Sequence, residues 1–352
     1  MPPAPSGRTA QPGMRARSLA PGLAVVAVGV AVAVLLGSVQ SVLGPLVIAL
    51  VLGILLGNSG RYTPALRPGV TAGTKRLLRA GVVLLGLQLA LPDIVALGLP
   101  VLGLIIACVV LSYVGTLHLG MRLGLTRAGA TLMAAGFSIC GASAVAGLQG
   151  VVDADDDETA SAVAMVTLYG SLMIVVLPVL GGVLGLPEDH FGMWAGLAVH
   201  EVAQVVAVAG TAGATALAVA TVVKLGRVLM LAPVAAVASL GERRRAAASP
   251  GRSPSTAAPG LPRPVTRPPL VPLFVLGFLG MVVIRSLGFL PAPVLEGSRT
   301  ATTVLLAAGM FGLGAGIDLR RLARTGGRFA VVGAASTALL AGMSLAGVLL
   351  LA

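Results

Sequence analysis

Charge is scarce in this chain: charged residues are 10% of 352 positions and aromatic residues only 3%. So little charge excludes an ordinary soluble domain, in which about a quarter of residues are charged. Three Tyr, one Trp and seven Phe provide no stacking platform for bases, so the net charge of +12 does not point to a nucleic-acid partner. Cys108 and Cys140 are the only cysteines, and both sit in apolar runs, which excludes a disulfide framework and a thiolate metal site. Lysine is almost absent, with Lys75 and Lys224 alone; the arginine bias, with the richness in Ala, Val and Gly, follows a high-GC bacterial coding preference. There is no Gly-x-Ser-x-Gly elbow, phosphate-binding loop or dinucleotide fingerprint, so the expectation is a protein without enzymatic activity or cofactor.

What is abundant is hydrophobicity, 57% of residues with a mean hydropathy of +1.00. The composition predicts an all-α polytopic membrane protein whose first partner is the lipid bilayer. Apolar segments run approximately over 23–39, 43–57, 77–92, 97–119, 129–151, 159–186, 191–210, 214–240, 270–290, 300–318 and 328–351, which gives about eleven transmembrane helices. The first has charged flanks like a signal peptide but no small-residue cleavage site, and is taken as an uncleaved span.

The charges orient this array. With the N-terminus in the cytoplasm, the basic loops 58–76, 121–127, 241–269 and 319–328 all fall inside, as the positive-inside rule requires. The acidic stretch Asp153 to Glu158 then falls outside, as does the C-terminus. The expected location is the bacterial plasma membrane. The expected divisions are a cytoplasmic tail (1–19), a first membrane bundle (20–240, spans 1–8), a flexible basic cytoplasmic linker (241–269) and C-terminal spans 9–11 (270–352).

Two short internal matches suggest repeats. Ala80-Gly81, Gly86, Leu91 and Gly98 recur in spacing as Ala308-Gly309, Gly314, Leu319 and Gly326. Leu132-Met-Ala-Ala-Gly136 with Gly141-Ala142 recurs as Leu305-Leu-Ala-Ala-Gly309 with Gly314-Ala315. Both use the same C-terminal segment, so only one can hold, and either relates spans of opposite direction, the inverted-repeat plan of secondary transporters.

The chain is organised around Gly196 to Gly210, which puts His200, Glu201 and Gln204 inside an apolar run. An ionisable residue in a membrane segment marks a functional site by default. On a continuous helix these three would project to one side. His200-Glu-Val-Ala-Gln204 is one residue short of the zinc pattern His-Glu-x-x-His, and with Gln204 in the second position no metal site is expected.

Gly136 to Gly147 is the second such stretch: Gly136, Gly141 and Gly147, with Ser138, Cys140 and Ser143 between them, allow the backbone to open. An opened helix offers N–H groups suited to an anion, whereas small residues at this spacing also serve close helix packing. Lys224 and Arg227, one turn apart, can neutralise an anion, pair with Glu201 or, for Lys224, reach the membrane surface.

Ser138-Ile-Cys-Gly-Ala-Ser143, His200-Glu-Val-Ala-Gln-Val-Val206, Lys224-Leu-Gly-Arg-Val-Leu-Met-Leu-Ala-Pro233 and Gly53-Ile-Leu-Leu-Gly-Asn58 resemble the signature segments of the YeiH family of bacterial membrane proteins, which carries the label sulfate exporter. The resemblance covers nearly the whole chain outside the tail and the linker. The family is in turn similar to cation/proton antiporters and bile-acid symporters, which implies inverted five-helix repeats with interrupted crossing helices, and makes the first span an addition to a ten-helix core. Segment 136–147 is then one crossing helix, and either 305–318 or 196–210 is its partner.

The expected function is a secondary transporter of a small inorganic anion, sulfate or another sulfur oxyanion, exported and coupled to protons. Ser138, Cys140, Gly141, Ser143, Gln204, Lys224 and Arg227 are expected to bind the anion, Gln204 also orienting Glu201. Glu201, assisted by His200, is expected to carry the proton, because low dielectric favours the neutral carboxyl. Sodium is the other coupling ion to consider, and a homodimer the assembly. The alternatives are a cation/proton exchanger using Glu201 and Asp318, and a non-transporting scaffold or sensor.

Overall fold

The computed structural model describes residues 12–39, 44–152, 154–248, 273–320 and 326–351. Every regular element among them is helical. In chain order these are α1 (Pro12–Val39), α2 (Pro45–Asn58), α3 (Arg67–Leu85) with a 3-10 turn at Gly86–Gln88, α4 (Leu91–Val95), α5 (Gly98–Arg122), α6 (Arg127–Ser138), α7 (Ala142–Leu148), α8 (Asp156–Leu184), α9 (Glu188–Ala198), α10 (Val202–Gly210), α11 (Ala214–Leu229), α12 (Leu231–Ala248), α13 (Leu273–Ser286), α14 (Ala292–Ala315) and α15 (Gly327–Leu351). Residues 1–11 of the expected tail, and the expected linker beyond Ala248, lie outside the described residues. Its first residues continue α12 as helix.

Local chemistry sets several boundaries. Pro45 and Pro68 occupy the first turns of α2 and α3, where the missing N–H costs nothing. Thr126 caps α6 through Gly129 N at 3.0 Å, and Asp155 caps α8 through Glu158 N at 2.7 Å. Among the described residues five stretches are long and apolar enough to cross a membrane, Leu19–Val39, Gly98–Arg122, Asp157–Leu184, Ala214–Arg245 and Gly327–Leu351, with Pro45–Asn58 and Leu273–Ser286 as shorter apolar helices.

Packing cuts across the sequence divisions. The helices α1, α2, α3, α13 and α14 pack on one another, and α5, α6, α8, α9, α10, α11 and α15 form a second group. The C-terminal helices are thus divided between the two groups, α14 against α2 and α3, α15 against α5 and α9.

Neighbour pairings give the helix directions and correct the even procession of spans. Thr126 donates to Glu158, while at the other end of α6 Gly136 meets Val166. So α6 and α8 run parallel, and the chain between them must come back: Gly136 also meets Val145 of α7. In the same way Gly192 meets Ala216 and Gly196 meets Ala220, so α9 and α11 are parallel, and Gly213, after α10, returns beside Glu188 at the start of α9.

Segments 129–151 and 191–210 are therefore re-entrant hairpins, not spans. Each half holds 12 residues or fewer, about 18 Å at most, too short for a hydrocarbon core of about 30 Å. The first hairpin enters from the face that carries Arg122 and Arg328, which reaches Gly124 O at 3.1 Å, and the second enters from the opposite face. Replacing two adjacent odd-numbered spans by hairpins leaves the sidedness of every basic loop unchanged. It moves the acidic stretch, expected on the opposite face, to the face of the basic loops, where Glu158 meets Thr126, and moves the turn at 187–190 the other way.

Membrane-impermeant thiol labelling of intact vesicles checks this. Both native cysteines are buried, so single cysteines at Arg122 and Ala154 are expected to label from the same side, and one at Asp189 only from the other.

Candidate functional site

The tips of the two hairpins meet in the middle of the second group of helices. At the first tip Gly141 has φ +75°, a left-handed conformation that glycine alone adopts freely, and its N–H closes the end of α6 on Gly136 O at 3.0 Å. The second tip, Val199 to Glu201, turns without glycine, through extended residues at Val199 (φ −74°, ψ 145°) and Glu201 (φ −108°, ψ 150°). Glu201 is the N-cap of α10, and its N–H donates to Gln204 Oε1 at 3.2 Å.

The single helical flank expected for His200, Glu201 and Gln204 is corrected by this break. Glu201 turns toward the first hairpin, where Oε1 accepts from Ala142 N at 3.4 Å. His200 turns away, its Nε2 3.0 Å from Thr337 Oγ1 and its ring edge-on to Phe137 at 4.7 Å. Gln204 reaches Thr167 O at 3.5 Å, with its amide laid against Gly170, where a side chain would collide with it.

Lys224 and Arg227 are fully buried on α11, and their N–H groups end on backbone carbonyls. Lys224 Nζ donates to Ile139 O (3.0 Å), Val199 O (2.8 Å) and His200 O (2.5 Å). Arg227 donates from Nε to Ser138 O (3.2 Å), from Nη2 to Phe137 O (3.2 Å), and from Nη1 to Val199 O (3.0 Å), Gly196 O (3.4 Å) and Leu197 O. These carbonyls are those freed where α6 and α9 stop, and they carry the negative ends of both helix dipoles. The two cations thus tie the tips together and compensate both helix ends at once.

Ser138 is buried and bonds back to Ala134 O at 2.6 Å, while Ser143 Oγ lies 3.0 Å from both Cys140 O and Cys140 Sγ. A cavity of about 50 Å³ opens beside the tips, walled by Cys140, Ala142, Ser143, Glu201 and Val202 on one side. Leu46, Leu78, Leu85, Leu306 and Met310 of the first helix group close the other side. That is room for about three waters. Glu201 is 4% exposed, and its Oε2 has no hydrogen-bond partner among the described residues.

All nine sequence-derived residues therefore converge on the hairpin tips, but three of them, Cys140, Ser143 and Glu201, line the cavity. Asp318 is at the end of α14, accepting from Arg320 N at 2.9 Å, next to the end that Asn58 holds through Ile317 O and Leu319 N. Of the two partner segments considered for 136–147, the interrupted one is 196–210; α14 is continuous to Ala315. Sequence reasoning missed Thr167, Thr337 and the Ala142 N–H. A hydroxyl in an apolar helix was the signal for the threonines, but nothing in the sequence marks a backbone donor.

Changing Gly141 to Ala is expected to lower stability by about 1–3 kcal/mol through the left-handed backbone. The added Cβ would also stand 2.5 Å from Glu201 Cγ. Thermal denaturation in detergent checks it against Gly280→Ala, where the space is open.

Buried polar and ionisable side chains at apposed hairpin tips, inside an array of apolar helices, define a polytopic membrane protein with a polar cluster in its interior. Residues 21–333 match the family described as conserved hypothetical protein 698, and the chain belongs to that family. It is 44% identical over 330 residues to the UPF0324 membrane protein Cgl0015/cg0018 of Corynebacterium glutamicum, covering 94% of this chain and 92% of that protein. It is 37% identical over 301 residues to the UPF0324 membrane protein blr3189 of Bradyrhizobium diazoefficiens (86% and 82%), and 33% identical over 308 residues to Atu0671 of Agrobacterium fabrum (88% and 84%). No solved structure matches. The membrane assignment from composition and the family resemblance are both borne out.

Proposed function

We propose that this protein is a secondary transporter that moves a small oxyanion together with a proton through the cavity between its two helix groups. The observation that carries this is the pair of hairpins entering from opposite faces, with a buried carboxylate and backbone N–H groups at their junction. Hairpins of opposite sense fit the inverted-repeat plan of alternating-access carriers. The cavity holds about three waters, so a five-atom sulfate enters only as the two groups part.

Lys224 and Arg227 act in this scheme through the backbone. By binding the carbonyl ends they leave the Ala142 N–H, the Ser143 hydroxyl and the start of α10 to face the cavity. A charged Glu201 already occupies that place. Two negative charges about 4 Å apart repel by about 4 kcal/mol at an effective dielectric of 20. The anion therefore binds when Glu201 holds a proton, and anion and proton travel together. A proton with a divalent anion still carries net negative charge, so an inside-negative potential drives the pair outward, the direction implied by the exporter label.

The test is sulfate uptake into proteoliposomes under pH gradients of either sign, in buffers with and without sodium. Uptake should rise with external acid and be indifferent to sodium. Absence of sulfate flux in folded protein overturns the anion assignment. The second reading, a cation/proton exchanger, is favoured by the unpartnered Glu201 Oε2 at the cavity wall; sodium flux against protons would establish it instead.

A further inference from the structure

The first helix is held to its neighbours at two close approaches, to α3 where Gly22 meets Gly69 and to α14 where Gly29 meets the ring of Phe311. Beside them one face of α1, from Leu23 to Ser38, stands off from α3 and α14 across a groove of about 620 Å³. The cause is side-chain size: Ala27 and Ala31 on α1 and Ala308 on α14 line the groove, and alanines are too short to fill it.

Three properties of the groove select its occupant. It is continuous with the lipid-facing surface, because Leu19–Val39 is long and apolar enough to cross a membrane and Leu35 of the lining is 64% exposed. It is no place for water, which needs two to four polar partners. Ser38 is the one polar side chain in the lining, and it already donates to Leu35 O at 2.7 Å. It is also too narrow for a helix. Leu23 to Ser38 spans about 22 Å, so about 620 Å³ leaves a cross-section of about 28 Å², about a third of that of a helix about 10 Å across. A single hydrocarbon chain fits, and the groove is longer than the depth of one leaflet's hydrocarbon, about 15 Å.

The helices that floor the groove also wall the Glu201 cavity. Leu77 and Leu305 face the groove, and the next residues, Leu78 and Leu306, face the cavity. The α3–α14 pair is the whole partition, with Leu78 packed on Gly309 and Leu306 on Gly81.

We propose that the groove is a lipid site, in which one acyl chain of a bilayer phospholipid lies along α1 and backs the α3–α14 wall of the cavity. An unfilled groove would leave Leu77 and Leu305 without contacts on one side and the wall free to shift. The link to the cavity rests on the transport reading; the binding of lipid does not.

The test compares Ala31→Phe, which fills the groove from an exposed position, with Val28→Phe on the outer side of the same helix. After repeated detergent exchange, native mass spectrometry should find one phospholipid retained per chain in the wild type and Val28→Phe, and none in Ala31→Phe. Phosphatidylglycerol added back to delipidated protein should raise the Tm of the first two by about 2–4 °C, as for lipid at several times its Kd, and leave Ala31→Phe unchanged. In proteoliposomes, shorter acyl chains thin the bilayer for every variant alike. Sulfate flux should then fall further in the wild type than in Ala31→Phe, whose groove is already filled.

Equal retention of lipid in all three proteins, or none in any, overturns the site. Ala31→Cys chains that cross-link to one another place a second copy in the groove and overturn it as well. Lipid retained with flux equally sensitive to chain length in all three removes the link to the cavity. Lipid retained and Tm raised as expected, without sulfate flux, keeps the site and removes the transport function.

Discussion

Replacing Glu201 by Gln is expected to leave downhill anion flux in place and to abolish accumulation driven by a pH gradient. Glutamine keeps the shape and cannot ionise, so it imitates the protonated carboxyl at every pH. The carboxylate that otherwise excludes the anion is then never formed, and proton and anion movements separate. One pH unit is worth about 1.4 kcal/mol per proton, or about tenfold in accumulation. The wild type should therefore concentrate sulfate about tenfold per unit of imposed gradient and Glu201→Gln not at all. Retention of gradient-driven accumulation by the variant would remove Glu201 from the coupling. Loss of both gradient-driven and downhill flux would mean that the carboxylate itself is needed at the cavity, as a cation site requires.

The second large effect concerns stability. Val199 O accepts from both cations, so truncating Lys224 to Ala strips two buried carbonyls, Ile139 O and His200 O, of this donor, and truncating Arg227 strips four. A buried acceptor stripped of its partner costs about 1–3 kcal/mol, so each variant should lose about 2 kcal/mol or more, and the arginine variant the more. Among the described residues no carboxylate is bonded to either cation, so Glu201→Gln should not reproduce the loss. Heating in detergent followed by size-exclusion chromatography reads the difference, with the exposed Arg299→Ala as a neutral comparison. If Lys224→Ala folds normally and raises the KM for sulfate, the lysine binds substrate directly, as the sequence suggested.

The same carbonyl contacts show why the site was only partly legible. Lys224, Arg227, His200, Glu201 and Gln204 stand out because ionisable or polar groups are rare in apolar runs, and all five do gather at one place. Their roles were not legible, because the atoms they bind belong to the backbone, and every residue has a carbonyl. Gly141 marked the first break by its identity, since only glycine takes φ +75° freely. The second break carries no glycine, so Val199 to Glu201 looked like uninterrupted helix.

Composition by itself determined that this chain is an array of membrane helices, and short motifs such as Ser138 to Ser143 and His200 to Val206 determined which family it resembles. The pattern works because hydrocarbon excludes charge wherever it sits along the chain. Tertiary structure alone decided that segments 129–151 and 191–210 turn back at mid-depth. An apolar run of about 20 residues has the same hydropathy whether it forms one span or two half-length helices. The choice lies in contacts between distant residues, in Lys224 and Arg227 holding the freed carbonyls of α6 and α9, and in Glu201 reaching Ala142 across 59 positions.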